Sequence, residues 1–194
     1  LLACIKTLQS NKGTAHLIGL LSKGGIHSHQ HHTAAVANMF ARAGVPVRIH
    51  AFLDGRDRPP QGALDDVYDF MQTLDKTPLI KLATVVGRYY GMDRDQRWER
   101  TKLAYDLLVD GTGDRFGEYV TGIVTNYAIG KNDEFVEPIA VGDYTGMHDG
   151  DALLCCNFRA DRVRQILSAL CLSDFNAFGR GRTVTFSAMI GLTN

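Results

Sequence analysis

Seven side chains carry the chemistry expected of this chain: His27, Arg56, Asp57, Arg88, Arg94, Arg159 and Arg162. They fall in four polar clusters, GGIHSHQHH, DGRDRPP, GRYYGMDRDQR and NFRADR, and an apolar run leads into each. Arginine presents a planar fork of N–H donors that grips a carboxylate or phosphate with two parallel hydrogen bonds. Five arginines around one crevice imply a ligand with more than one negative charge, such as a phosphorylated carboxylic acid. Arg159 and Arg162, spaced as RADR at a helix start, should share one face near the positive end of the helix dipole. Asp57, set among arginines, is the candidate acid/base for a ligand hydroxyl. Asp54 reads as the cap of an Asp-Gly-Arg-Asp turn. Arg97 and Arg100, in the mixed-sign run MDRDQRWER, read as surface ion-pair residues.

His27 follows two glycines and is the histidine assigned to the site. His29, His31 and His32 have no carboxylate or cysteine at ligand spacing and read as helix-start or solvent-facing residues, so no metal site is expected. The four cysteines form neither a disulfide framework nor a CxxC pair. Cys155 and Cys156, inside an apolar run, read as small buried hydrophobes. Free thiols and the lack of a targeting segment point to a reducing, cytoplasmic setting.

These clusters need a frame that brings them together. HLIGLL (16–21), VRIHAFL (47–53), KLATVVG (81–87), ALLCCNF (152–158) and TVTFSAM (183–189) read as strands. Residues 1–9, 33–43, 64–74, the run RWERTKLAYDLLV, and the stretch with Val163, Ile166, Leu167 and Leu170 show helical spacing. Strands separated by helices predict a three-layer α/β/α fold with a largely parallel sheet. Residues 111–150 form an irregular excursion, with a strand or helix at YVTGIVTNYA. In such sheets the ligand lies beyond the carboxyl ends of the strands, which is where each polar cluster falls.

Composition narrows the class. Twenty-one Lys and Arg against 21 Asp and Glu give a formal net charge of zero, so no global field attracts nucleic acid or an anionic membrane. No apolar run approaches the ~18–20 residues that span a bilayer. The chain starts at Leu1 without a methionine and stops at Asn194 after a strand-like run, which is the pattern expected of a piece of a longer protein.

LLSKGGIHSH, HAFLDGRDRPP, ATVVGRYYGMDRDQRWER and DGDALLCCNFRADR resemble the phosphotransferase, substrate-binding domain of cofactor-independent (2,3-bisphosphoglycerate-independent) phosphoglycerate mutases. The resemblance runs from about His16 to Asn194. It departs at Lys23, where an aspartate is common, and at Cys155-Cys156, where aromatics are common. It implies interconversion of 3-phosphoglycerate and 2-phosphoglycerate through a phosphoserine carried, with two Mn2+ or similar ions, on an alkaline-phosphatase-like domain into which this one is inserted. That serine motif and its metal ligands are absent from these residues. By the resemblance, His27, Arg56, Asp57, Arg88, Arg94, Arg159 and Arg162 bind the substrate, the phosphatase domain is the partner in cis, and the whole enzyme is a monomer. The alternative is a stand-alone phospho-carboxylate-binding module; a histidine-loop metalloprotein is a third reading.

Overall fold

A computed structural model describes residues 1–193; Asn194, the end of the stretch that carries the resemblance, lies outside the described residues. The chain runs α1 (Leu2–Asn11), β1 (Ala15–Leu20), α2 (Gln30–Arg42), β2 (Val47–Leu53), α3 (Ala63–Gln72), β3 (Ile80–Gly87), the single turn α4 (Arg88–Gly91) and α5 (Trp98–Asp110). It continues through β4 (Asp114–Phe116), α6 (Tyr119–Ala128), β5 (Ile139–Val141), β6 (Ala152–Cys155), α7 (Arg164–Cys171) and β7 (Ala188–Gly191). The seven strands form one sheet in the order β4-β5-β3-β2-β1-β6-β7. Pairing is parallel throughout except between β3 and β5.

The central strands are buried on both faces, which is why they read as continuous apolar runs. Side chains alternate along each strand, so Leu17, Ile49 and Val85 face one way, against Leu8, Phe40, Phe70 and Ile123 of α1, α2, α3 and α6. Ile18, Phe52, Val86 and Leu153 face the other way, against Tyr105, Leu108, Ile166 and Leu170 of α5 and α7. The expected three-layer α/β/α arrangement is therefore present. Cys155 and Cys156 are buried in it as read, and burial pushes the Cys156 thiol up to about 12.

The excursion at 111–150 is not shapeless. YVTGIVTNYA is the helix α6, and β4 and β5 extend the sheet past β3. A 3-10 turn at Asp133–Phe135 then folds back over the strand ends. Two strand readings are corrected: ALLCCNF is a strand only over Ala152–Cys155, and TVTFSAM is not a strand over 183–187, β7 beginning at Ala188. β6 starts only at Ala152, opposite Ala188, so upstream residues have no strand to join. Instead Thr185 N donates to Asp149 Oδ1 and Ser187 N to the Asp151 carbonyl.

Within the α5/α7 face a polar row crosses three strands. Asp151 Oδ2 lies 3.0 Å from His16 Nε2, His16 Nδ1 2.9 Å from His50 Nε2, and His50 Nδ1 2.9 Å from the Thr84 hydroxyl. Burial, with His16 and Arg48 nearby, holds His50 well below the usual histidine range.

Candidate functional site

All seven predicted residues follow the carboxyl ends of strands: His27 after β1, Arg56 and Asp57 after β2, Arg88 and Arg94 after β3, Arg159 and Arg162 after β6. Asp54 builds the first of these loops. Its Oδ1 accepts the backbone N–H of Arg56 (3.2 Å) and of Asp57 (2.9 Å), the turn cap expected of it, and the chain turns through Gly55 at φ +68°. The same carboxylate also accepts the Ser22 hydroxyl at 2.7 Å and Arg88 Nη1 at 2.7 Å. Burial alone would raise Asp54, but the bonds from Ser22, the Asp57 backbone, Arg88 and the Arg56 backbone outweigh it and hold it low.

Arg88, the first residue after β3, has a side chain only 4% exposed. Its Nη1 also donates to Asp57 Oδ2 at 2.7 Å, and its Nη2 lies 3.1 Å from His27 Nε2. Burial opposes its charge, yet Asp57 and Asp54 together raise its pKa above the usual value. His27 is itself buried, and its carbonyl accepts the N–H groups of Phe158 (2.9 Å) and Arg159 (3.2 Å). One histidine thus ties the loop after β1 to the loop after β6.

Arg159 and Arg162 do not sit on α7, which begins at Arg164; they bracket a 3-10 turn at Ala160–Arg162. The segment before α7 is tied to the loop after β1 by the two N–H groups that the His27 carbonyl accepts. Arg159 is extended (φ −105°, ψ 116°) and only Arg162 belongs to the turn, so the helical spacing expected of RADR is not what relates the two. Within that turn Asp161 bridges two predicted residues: Arg94 Nη1 donates to its Oδ2 at 2.9 Å, and Arg159 Nε lies 3.0 Å from its Oδ1.

The excursion supplies the remaining wall. Glu134 Oε1 is 3.6 Å from Arg56 Nη1. The 3-10 turn approaches so closely that a Cβ on Gly55 would lie 2.7 Å from Glu134 N, and one on Gly87 would fall inside its carbonyl oxygen. Arg56, Arg88, Tyr89, Glu134, Phe135 and Arg162 line a cavity of ≈ 180 Å³. Arg97 and Arg100 line it too; Arg97 makes the expected surface pair with Asp95, but the acid that both arginines share, Asp93, is buried.

Arg162 is the exception to this pairing. Its Nε is buried without a hydrogen-bond partner, and among the described residues no carboxylate lies within ion-pair distance of it. Burial, then the charges of Arg94, Arg88 and Arg56, pull its pKa below the usual arginine value. A guanidinium without an ion-pair partner, in the field of three others, leaves an excess of positive charge here. The remaining histidines stand apart from the cleft: His29 caps α2 through its Nδ1 and His31 and His32 are exposed. Among the described residues no group of three or more His, Cys, Asp or Glu side chains is arranged to hold a metal.

Sequence reading alone misses Asp161 and Glu134 as members of the site, and treats Asp54 as turn architecture only. Asp161 sits inside the quoted RADR and Glu134 inside the acidic patch NDEFVEP, so the signal in each case was an acid beside or opposite the arginines.

The fold and cleft define a doubly covered, mostly parallel α/β domain with an arginine-lined cleft at the carboxyl ends of its strands. Residues 1–194 match the family model described as the BPG-independent PGAM N-terminus. The 2,3-bisphosphoglycerate-independent phosphoglycerate mutase of Rhodopseudomonas palustris is 50% identical over 193 residues, covering 100% of this chain and 38% of that protein. That of Gluconobacter oxydans is 46% identical over the same length, again with 38% of the relative covered. A crystal structure of Leishmania mexicana phosphoglycerate mutase, solved at low cobalt concentration, superposes with a TM-score of 0.85 at 30% identity, covering 95% of this chain and 37% of that one. The chain belongs to the 2,3-bisphosphoglycerate-independent phosphoglycerate mutase family and spans about 38% of the length of these curated relatives.

Proposed function

We propose that this chain is the substrate-binding domain of a phosphoglycerate mutase, holding the glycerate while its phosphate is transferred between the 3- and 2-hydroxyls. The observation that carries the reading is Arg162, a half-buried side chain whose Nε is buried without a hydrogen-bond partner and which feels the charges of Arg94, Arg88 and Arg56. A ligand with a carboxylate and a phosphate supplies two anions to a cleft that is short of them. Asp57, bonded at 2.7 Å to Arg88, which lines the cleft, is suited to accept a proton from a glycerate hydroxyl and return it to the other.

The phosphoserine and the two Mn2+ ions of the family belong, on this reading, to a phosphatase domain acting in cis. The residues described here do not fit the metal pair, since no ligand cluster is present among them, so no step is assigned to a metal in this chain. The parent acts as an isomerase in glycolysis and gluconeogenesis, as a cytoplasmic monomer, and this chain alone does not complete the cycle. Calorimetry with 3-phosphoglycerate tests the binding claim: Arg162→Ala should weaken it about 10–150-fold, the worth of a charged hydrogen bond. Equal binding by the variant would move the ligand elsewhere. Formation of 2-phosphoglycerate by this chain with manganese and 3-phosphoglycerate would refute the division of labour.

A further inference from the structure

We propose that Asp161 is a positioning residue of this cleft, holding His27 as its Nδ1–H tautomer and fixing the guanidiniums of Arg94 and Arg159 for the ligand. The inference rests on the substrate reading above and begins from hydrogen-bond bookkeeping. A guanidinium has five N–H donors and no acceptor. Arg88 Nη2 sits 3.1 Å from His27 Nε2, so Nε2 must offer its lone pair and the proton of the neutral ring is on Nδ1. That Nδ1 is buried and without a hydrogen-bond partner, and it faces Asp161 Oδ1 at 3.6 Å, a buried oxygen that makes no hydrogen bond although Arg159 Nε stands 3.0 Å from it as an ion pair. At 3.6 Å the two atoms are poised just beyond a hydrogen bond, and Asp161 rides on a three-residue turn. A shift of under ~1 Å closes the bond at the usual spacing.

The same carboxylate takes one donor from Arg94 and stands 3.0 Å from one nitrogen of Arg159, leaving the other donors of each fork available. Both arginine side chains are about half exposed, at 47% and 53%, and without a partner would lose rotamer freedom on binding. Asp161 thus orders three groups from three loops before the ligand arrives. The charged groups around His27 are Arg88, Asp161, Asp57 and Arg159; of the two acids, Asp161 faces Nδ1 and Asp57 lies 3.7 Å from Nε2.

The test uses this chain and its Asp161→Asn and Asp161→Ala variants. Nitrogen-15 NMR of the His27 ring reports tautomer and titration midpoint, and calorimetry with 3-phosphoglycerate and with inorganic phosphate reports affinity. The expected result is a protonated Nδ1 in the unsubstituted chain, a lower His27 midpoint in both variants, and 3-phosphoglycerate binding at least about tenfold weaker. Melting temperature should hold, since the Asp161 side chain is 31% exposed. A proton on Nε2 overturns the tautomer assignment. Unchanged or tighter binding in the variants overturns the positioning role, the latter making Asp161 an internal competitor for the arginines. If the unsubstituted chain binds neither anion, the substrate reading fails while the His27 measurement still decides the role of Asp161.

Discussion

Replacing Arg88 by alanine isolates the electrostatic junction beneath the cleft. Both Arg88 and Asp54 side chains are 4% exposed, and their 2.7 Å contact is a buried ion pair. Removing one partner of such a pair leaves an uncompensated buried charge, which costs about 3–5 kcal/mol. Asp54 would keep the Ser22 hydroxyl and the N–H groups of Arg56 and Asp57, so the expected loss is about 3 kcal/mol, the lower end. The pH dependence gives the cause away. In the unsubstituted chain Asp54 has a depressed pKa, so its contribution is fully present above the unfolded carboxylate value and is lost as pH falls through the lower, folded one. Without Arg88 the folded carboxyl rises, and protonation then relieves the buried charge. Urea unfolding followed by circular dichroism should therefore show the deficit largest near neutral pH and smaller in mild acid. A deficit under about 1 kcal/mol at neutral pH, or one that grows on acidification, would refute the buried-pair reasoning.

Three further outcomes are expected. Gly87→Ala should lower the melting temperature and weaken anion binding together, because its Cβ meets the Glu134 carbonyl; a cost of about 1–3 kcal/mol is typical of such overpacking, and an unshifted melt would contradict the close approach. His50 has a depressed pKa, so folding holds it neutral while the unfolded chain takes up a proton below about 6.5. Stability should fall with a slope of up to about 1.4 kcal/mol per pH unit below that point, and His50→Gln should flatten the slope; an unaltered slope in unfolding titrations would exclude His50 as its source. Arg56→Ala should weaken 3-phosphoglycerate binding with little change in melting temperature, since its 3.6 Å pair with Glu134 is half exposed and worth at most about 1 kcal/mol; a large loss of stability would show that the pair holds the Asp133–Phe135 turn in place.

The strands and the arginines are legible in the sequence for the same reason: a parallel sheet buried on both faces demands unbroken apolar runs, and function is confined to the residues just past them. His27 illustrates the limit. Its type and its two preceding glycines mark it as a site residue, yet its role depends on Arg88, 61 positions away, and Asp161, further still. The 111–150 segment is hard to read because β4 and β5 are three residues each, too short for alternation to register, and because its 3-10 turn, capped by Asn132, is seated against Gly55 and Gly87 far away in sequence. TVTFSAM has the composition of a strand over its whole length, but a strand also needs a neighbour, and none is present before Ala152.

The acids were the least legible residues, and they decide how the cleft works. Arg88 is held by Asp54 and Asp57, Arg56 by Glu134, and Arg94 and Arg159 by Asp161. Each of these arginines keeps donors in reserve, because a guanidinium has five, but each already has a carboxylate beside it. Arg162 has none among the described residues. A dianionic ligand therefore gains most where Arg162 stands, and the paired arginines contribute direction more than charge. Two substitutions separate these roles. Arg162→Lys keeps the charge and loses the fork, so it should retain part of the affinity for inorganic phosphate. Arg159→Lys should leave phosphate binding nearly intact while eroding discrimination between phosphoglycerate and phosphate, because the geometry held by Asp161 is lost. Equal effects of the two changes on both anions, measured by calorimetry, would mean that pairing with carboxylates does not divide the arginines in this way.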